Sequence, residues 1–180
     1  VPPPETLTLE GRLDSDLTTV PVSRYTSREF HDIEMKKLWP KVWQMACREE
    51  EIPKVGDHYV YEIGSFSILV VRTADGIKAH HNVCRHRGRK LCEHPGPGHA
   101  PSFICPFHGF SWNIDGSLRN ITSEWDFPHI DKDNFDLTPA RVGQWGGWVF
   151  INMDMDAKPF EDFYGDLLKH FEVWRPEERY

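Results

Sequence analysis

With 180 residues and a mass of 21.0 kDa, the chain has room for one domain and an arm. Hydrophobic residues at 39% and charged ones at 27% support a packed core and exclude wholesale disorder. A net charge of −7 argues against a nucleic-acid binder, which needs a basic face, and the sequence holds no apolar run of the roughly 18 residues that would cross a membrane.

Residues 1–24 are Pro-rich at the start and weakly patterned after it, which reads as an extended arm. Val1-Pro2-Pro3-Pro4-Glu5 has no charged-then-apolar leader pattern, so a cytoplasmic location is expected. Thr26 and Glu29 have the spacing of a capping box, Phe30, Ile33, Lys37 and Leu38 recur with helical period, and Pro40 closes that helix. Glu49-Glu50-Glu51-Ile52-Pro53 reads as a solvated turn. The period then changes to two. Tyr59 to Ile63, Phe66 to Arg72 and Ile77 to His80 read as strands, the last two joined by the hairpin signal Ala74-Asp75-Gly76. Phe103-Ile104-Cys105, Phe110 to Asn113 and Trp148 to Asn152 read as further short strands, with Asp115-Gly116 as a second hairpin turn. Closely spaced short strands predict a mainly β fold, an antiparallel sandwich or barrel. Residues 160–174, carrying Phe160, Phe163, Leu167, Leu168 and Phe171, predict an amphipathic helix whose apolar stripe needs a cover.

The chemistry concentrates between His80 and Leu118. Cys84-Arg85-His86-Arg87-Gly88 is followed, after 18 intervening residues from His86, by Cys105-Pro106-Phe107-His108-Gly109. Each half offers one thiolate and one imidazole on a short loop at a strand end, and two such loops facing one another make a Cys2His2 site. Mixed Cys/His pairs point to metal ligation in a reducing compartment rather than to disulfides. One reading is a two-iron cluster with both thiolates on one iron and both imidazoles on the other. Neutral imidazoles in place of two thiolates lower the negative charge and ease reduction. Backbone N–H groups around Arg87, Gly88, Lys90, Phe107 and Gly109 are the natural donors to bridging sulfides, and Trp112 stands where it could exclude water. The other reading is a structural zinc site on the same four ligands, for which the order Cys, His, Cys, His is unusual.

The motif pair, with flanks Asn82-Val83-Cys84-Arg85-His86-Arg87-Gly88 and Cys105-Pro106-Phe107-His108-Gly109-Phe110, resembles the Rieske domain of aromatic-ring-hydroxylating oxygenase α subunits. The resemblance extends from Tyr25 to about Asp166 and includes Leu38-Trp39-Pro40-Lys41-Val42-Trp43 and Gly146-Gly147-Trp148-Val149-Phe150. It implies a Rieske-type sandwich of three small antiparallel sheets and a [2Fe–2S] cluster on Cys84, His86, Cys105 and His108. It also implies a division into an N-terminal arm and helix (1–45), the Rieske domain (46–157) and a connector (158–180) toward a catalytic domain that this sequence does not contain. In the family that domain holds a mononuclear Fe(II) on two histidines and a carboxylate and carries out mono- or dioxygenation. Electrons reach it from a ferredoxin or reductase, and neighbouring α subunits assemble as trimers or hexamers. The alternative of another class is a stand-alone Rieske-type ferredoxin, a carrier and not an enzyme.

Two departures from the family pattern are a slightly long spacer between the motif halves and Phe110 and Trp112 where the family more often has Trp and Tyr. Phe107 stands where high-potential Rieske proteins carry a disulfide cysteine, so Cys92 has no partner for such a bridge and the low end of the Rieske range is expected. His94 and His99 have the gap of the family's mononuclear-iron histidines, but on a Pro/Gly-rich loop without a third ligand they are expected to be solvated. His80 and His81 are expected to pack near the ligands, and Cys47 and Cys92 to be buried free thiols. Arg85, Arg87, Arg89 and Lys90 form a basic cluster on an acidic chain, with Arg85 and Arg89 the expected docking cations for an acidic electron donor.

Overall fold

The structure, a computed structural model, describes residues 21–178. Most of the expected arm therefore lies outside the described residues, and its last part enters a short helix, α1 (Ser23–Thr26). Helix α2 (Arg28–Lys37) follows. Its cap is Ser27, whose hydroxyl accepts the Phe30 N–H at 3.2 Å, and not Thr26, whose hydroxyl donates to the Val22 carbonyl at 3.3 Å. The capping-box reading was thus one residue early: Thr26 is still helical, while Ser27 has the extended backbone an N-cap needs. No residue of α2 is buried, and a Cβ at Gly64 would meet the Met35 methyl, which marks where the helix rests on the sheet.

Ten antiparallel strands build the body. They are β1 (Gln44–Arg48), β2 (Asp57–Ile63), β3 (Phe66–Thr73), β4 (Gly76–His81), β5 (Gly96–His99), β6 (Ser102–Ile104), β7 (Ser111–Asn113), β8 (Leu118–Asn120), β9 (Pro139–Trp145) and β10 (Trp148–Asn152). Seven run in the order β1-β10-β9-β4-β3-β2-β5, and β6-β7-β8 form a separate sheet. Strand β9 pairs with β10 through Val142↔Ile151 and with β4 through Ala79↔Ala140, so the seven strands curl as two sheets sharing one strand. The result is three small antiparallel sheets, as the sequence reading expects.

Strand β3 explains the arrangement. Ile68, Leu69, Val70 and Val71 are all fully buried, but alternate side chains enter different cores. Leu69 and Val71 join Val60, Phe103, Phe110 and Trp112 beneath the small sheet. Ile68 and Val70 join Ala46, Cys47, Ile52, Ala79, Val149 and Ile151 between the other two. A strand covered on both faces reads as a continuous apolar run rather than an alternating one.

Three elements depart from expectation. Strand β5 occupies the stretch read as a Pro/Gly loop, pairing at the edge of β2 with Pro97 opposite Tyr59; an edge tolerates a residue without an N–H. The Glu49–Glu51 segment is a turn, but Ile52 behind it is buried. The helix expected over 160–174 is two helices, α3 (Phe160–Tyr164) and α4 (Asp166–Glu172), interrupted at Gly165. Phe160 is buried edge-on against Trp43 at 5.3 Å, while Phe163 and Leu167 remain 48% and 45% exposed. Among the described residues no helix is long and apolar enough to cross a membrane.

Candidate metal centre

Strand β4 ends at His81 and leads into a first loop carrying Cys84 and His86; the β6–β7 turn forms a second loop carrying Cys105 and His108. The backbone repeats itself in the two. Cys84 N–H donates to the Arg89 carbonyl at 2.7 Å and Gly88 N–H to the Cys84 carbonyl at 2.9 Å. Cys105 N–H donates to the Phe110 carbonyl at 2.8 Å and Gly109 N–H to the Cys105 carbonyl at 3.0 Å. Both turns need a residue at positive φ, +74° at Gly88 and +75° at Gly109, which explains the glycine four residues after each cysteine. The Gly88 and Gly109 N–H groups close the turns on the cysteine carbonyls, and the Cys84 sulfur receives the backbone N–H groups of His86 and Arg87.

The four side chains arrive as two like pairs. Cys84 and Cys105 are buried together in the core and touch through their sulfurs. Burial is the main cause that lifts the Cys84 thiol above its ordinary range, with the backbone N–H of His86 opposing it. His86 and His108 lie side by side, half-buried, with ring centroids 4.8 Å apart. Burial, then His108, Arg87 and His129, hold His86 below the usual imidazole range, which favours the neutral ring a metal requires. Among the described residues no three His, Cys, Asp or Glu side chains are arranged to hold a single metal ion. A tetrahedral zinc would need its donors converging on one point. A thiol pair beside an imidazole pair fits a two-iron cluster instead.

Aromatic rings enclose the imidazoles. Phe110, fully buried, stacks on His86 at 4.6 Å with 9° between planes, and Phe127 meets the same ring edge-on at 5.2 Å. Phe107 leans on His108 at 3.8 Å and is otherwise exposed. Trp112 is fully buried and donates its indole N–H to the Phe135 carbonyl at 3.0 Å. The sequence reading has Trp112 but misses the packing role of Phe110 and Phe127. An apolar residue directly behind the motif glycine was the available signal for Phe110; Phe127 had none.

The basic cluster is largely engaged within the chain. Arg85 donates to the carbonyls of Asn134 at 2.8 Å and Asp136 at 2.9 Å and lies over the Phe135 ring, tying the first loop to the segment around residue 135. Arg89 pairs with Glu93, and Lys90 with Glu62 at 2.5 Å. Arg87 sits over the Phe107 ring at 5.4 Å and has no carboxylate partner among the described residues. The expectation of Arg85 and Arg89 as free docking cations thus meets two residues with internal partners.

His99 is exposed on β5 with Nδ1 2.8 Å from the Asp57 carboxylate, a bond that holds Asp57 below the usual carboxylate range. Neither His99 nor His94 joins a metal-holding group among the described residues. His80 is buried, with its ring against Gly116, and burial pushes it down to about 4; His81 is lowered for the same reason. Cys47 is buried, its thiol raised to about 12 by burial and then by Glu51; Cys92 is only half-buried.

The sequence profile of the Rieske [2Fe-2S] domain matches residues 42–130. The chain is 34% identical over 144 residues to the chlorobenzene dioxygenase subunit alpha of Cupriavidus sp. strain PS12, covering 79% of this chain and 32% of that protein. It is 34% identical over 146 residues to the carnitine monooxygenase oxygenase subunit of Escherichia coli K12, covering 80% and 38%. In structure it is similar to naphthalene 1,2-dioxygenase from Rhodococcus sp. bound to indole, with TM-score 0.79 and 31% identity over 87% of this chain and 36% of that one. The chain spans about a third of the length of these relatives.

Proposed function

Residues 42–130 are a Rieske [2Fe-2S] domain whose relatives are Rieske oxygenase α subunits, and on that premise we propose that the chain passes single electrons from a ferredoxin or reductase toward the mononuclear iron of a ring-hydroxylating oxygenase. The observation that carries this reading is the sorting of donors into like pairs, Cys84 with Cys105 and His86 with His108. Those four residues would hold the cluster, which supplies a one-electron couple when bound. The chain's own residues set its surroundings. Phe110 and Phe127 fix the His86 ring, the N–H groups of His86 and Arg87 face the Cys84 sulfur, and Trp112 closes the buried side. The half-buried His86 and His108 rings would present the exposed end of that site.

The oxygenase activity, whether mono- or dioxygenation, belongs to a catalytic domain like those making up the rest of the relatives' length, with neighbouring α subunits as partners and 158–180 as the connector toward it. Arg87 is the cation best placed to meet an acidic donor. The stack lacks hydroxyl donors at Phe110 and Trp112, and no disulfide links Cys92, so the potential falls at the low end of the Rieske range, roughly −150 mV. Iron and acid-labile sulfide counts on purified protein, with EPR of the reduced form, test this reading. Two irons and two sulfides per chain with a Rieske spectrum are expected; a colourless, zinc-loaded protein or a strongly positive midpoint overturns it.

A further inference from the structure

Asn82 is buried where β4 gives way to the first ligand loop. Its Nδ2 donates to the Ser67 hydroxyl at 3.0 Å and to the Cys92 carbonyl at 2.7 Å. Its Oδ1 accepts the N–H groups of Leu91 at 3.1 Å and Cys92 at 2.9 Å. Both donors and both lone pairs of the carboxamide are used. Its backbone N–H donates to the Ser67 carbonyl at 2.9 Å. One residue therefore joins strand β3, the entry of the Cys84–His86 loop and its exit.

The second loop has no such residue because it does not need one. Ladder pairs Ile104↔Ser111 and Phe103↔Trp112 close it from both sides. The first loop leaves β4 at His81 and returns through residues that belong to no strand until Gly96. A carboxamide offers the same C=O and N–H as a peptide group, and at Asn82 it meets the backbone of Leu91 and Cys92 as a neighbouring strand would.

We infer that Asn82 is a positioning residue for the iron–sulfur site, its carboxamide standing in for the ladder rung that the first loop lacks and holding Cys84 and His86 in register with Cys105 and His108. The inference rests on the ligand set proposed above. It separates two consequences that a purely structural buried amide would not: retention of the cluster and stability of the sheets.

The test uses the cluster-loaded protein and four variants. Asn82→Leu removes all four side-chain bonds, Asn82→Asp keeps the two acceptor bonds, and Ser67→Ala removes one of the four, with the exposed bond from the Ser67 hydroxyl to Glu62, without touching residue 82. Asn152→Leu is the control, deleting another buried amide that bonds the Lys41 carbonyl and the Asp154 N–H on β10. The readouts are bleaching of visible absorbance by an iron chelator, the EPR spectrum of the reduced protein, and Tm. Ser67→Ala is expected to bleach several-fold faster than wild type and Asn82→Asp more than about tenfold faster, because its two donor bonds to the Ser67 hydroxyl and the Cys92 carbonyl are lost. Ser67→Ala should show shifted EPR g-values with Tm little changed, Asn82→Asp should show them with a lower Tm because its second carboxylate oxygen faces the Cys92 carbonyl, and Asn82→Leu should bleach fastest. Asn152→Leu should lower Tm and leave bleaching and EPR at wild-type values. Should Asn82→Leu fail to fold, the two milder variants carry the comparison. Wild-type bleaching and EPR in both of them, or Asn152→Leu bleaching as fast as they do, overturns the inference while leaving the ligand set intact. A wild-type protein without a Rieske signal overturns the ligand set, and this inference with it.

Discussion

The two ligand loops make the same turn from different surroundings. In each, the cysteine N–H reaches the carbonyl five residues on, and a left-handed glycine returns its N–H to the cysteine carbonyl. One turn is the tip of a β-hairpin; the other is an excursion from a strand end, closed by side chains from Asn82 and Arg85. A turn of five or six residues can thus be specified locally, while its anchoring is left to whatever the surrounding sheet provides. Sequence spacing reveals the turn and hides the anchor.

The largest effect that would sharpen this comparison comes from Phe110, which ends the second loop and stacks on the histidine of the first. Phe110→Ala should cost about 3–5 kcal/mol in chemical denaturation, the range for a fully buried phenylalanine. A loss under about 1 kcal/mol would mean that the loops are held apart from one another and not through this ring.

Next comes His80, on the strand entering the first loop, with its ring against the Gly116 turn that follows the second. Burial is the main cause of its low value, with Lys78 adding to it and Asp115 and Asp136 opposing. The ring titrates near 4 when folded against an ordinary 6.5, so in between the unfolded chain binds a proton that the folded chain refuses. Stability should therefore fall as pH drops from 6.5 toward 4, by at most about 3 kcal/mol from this group. His80→Phe should flatten that part of the profile, while the contributions of His58 and His81, also lowered by burial, remain. Parallel profiles for the two proteins would remove His80 as a source of that pH dependence.

The smallest effect distinguishes the two glycines. Gly88→Ala and Gly109→Ala each force a left-handed alanine, costing about 1–2 kcal/mol. At Gly88 the new methyl meets open space, whereas at Gly109 it lies 2.7 Å from the Thr122 hydroxyl. Denaturant midpoints should show Gly109→Ala as the more damaging; equal losses would mean that the Thr122 side chain simply swings away.

The residues legible in the sequence are those whose signal is local. The mixed Cys/His pairs, the trailing glycines, the alternation of β2 and the Ala74-Asp75-Gly76 turn ahead of β4 are each written within a few positions. Strand β9 was not legible, because Pro139 to Trp145 is defined by bridging two sheets and not by its own periodicity. The anchoring of Arg85 was not legible because its carbonyl partners lie some fifty positions away, at Asn134 and Asp136. Asn82 was visible only as a flank of the motif, since four hydrogen bonds leave no mark on spacing. The cap fell on Ser27 and not on Thr26 because the turn of α1 ahead of it carries Thr26 within the helix.

The high value of the Cys47 thiol bears on how the cysteines differ. At about 12, with Glu51 and Glu49 beside it, this thiol is ionised in only about one molecule in 10⁵ at neutral pH. Cys92 is pushed in the same direction by burial. Burial raises the Cys84 thiol as well, so placement and not acidity sets the cysteines apart: Cys84 faces two backbone N–H groups and the Cys105 sulfur, while Cys47 lies in the other core. Among the described residues a thiol pair beside an imidazole pair is presented only where the two loops meet.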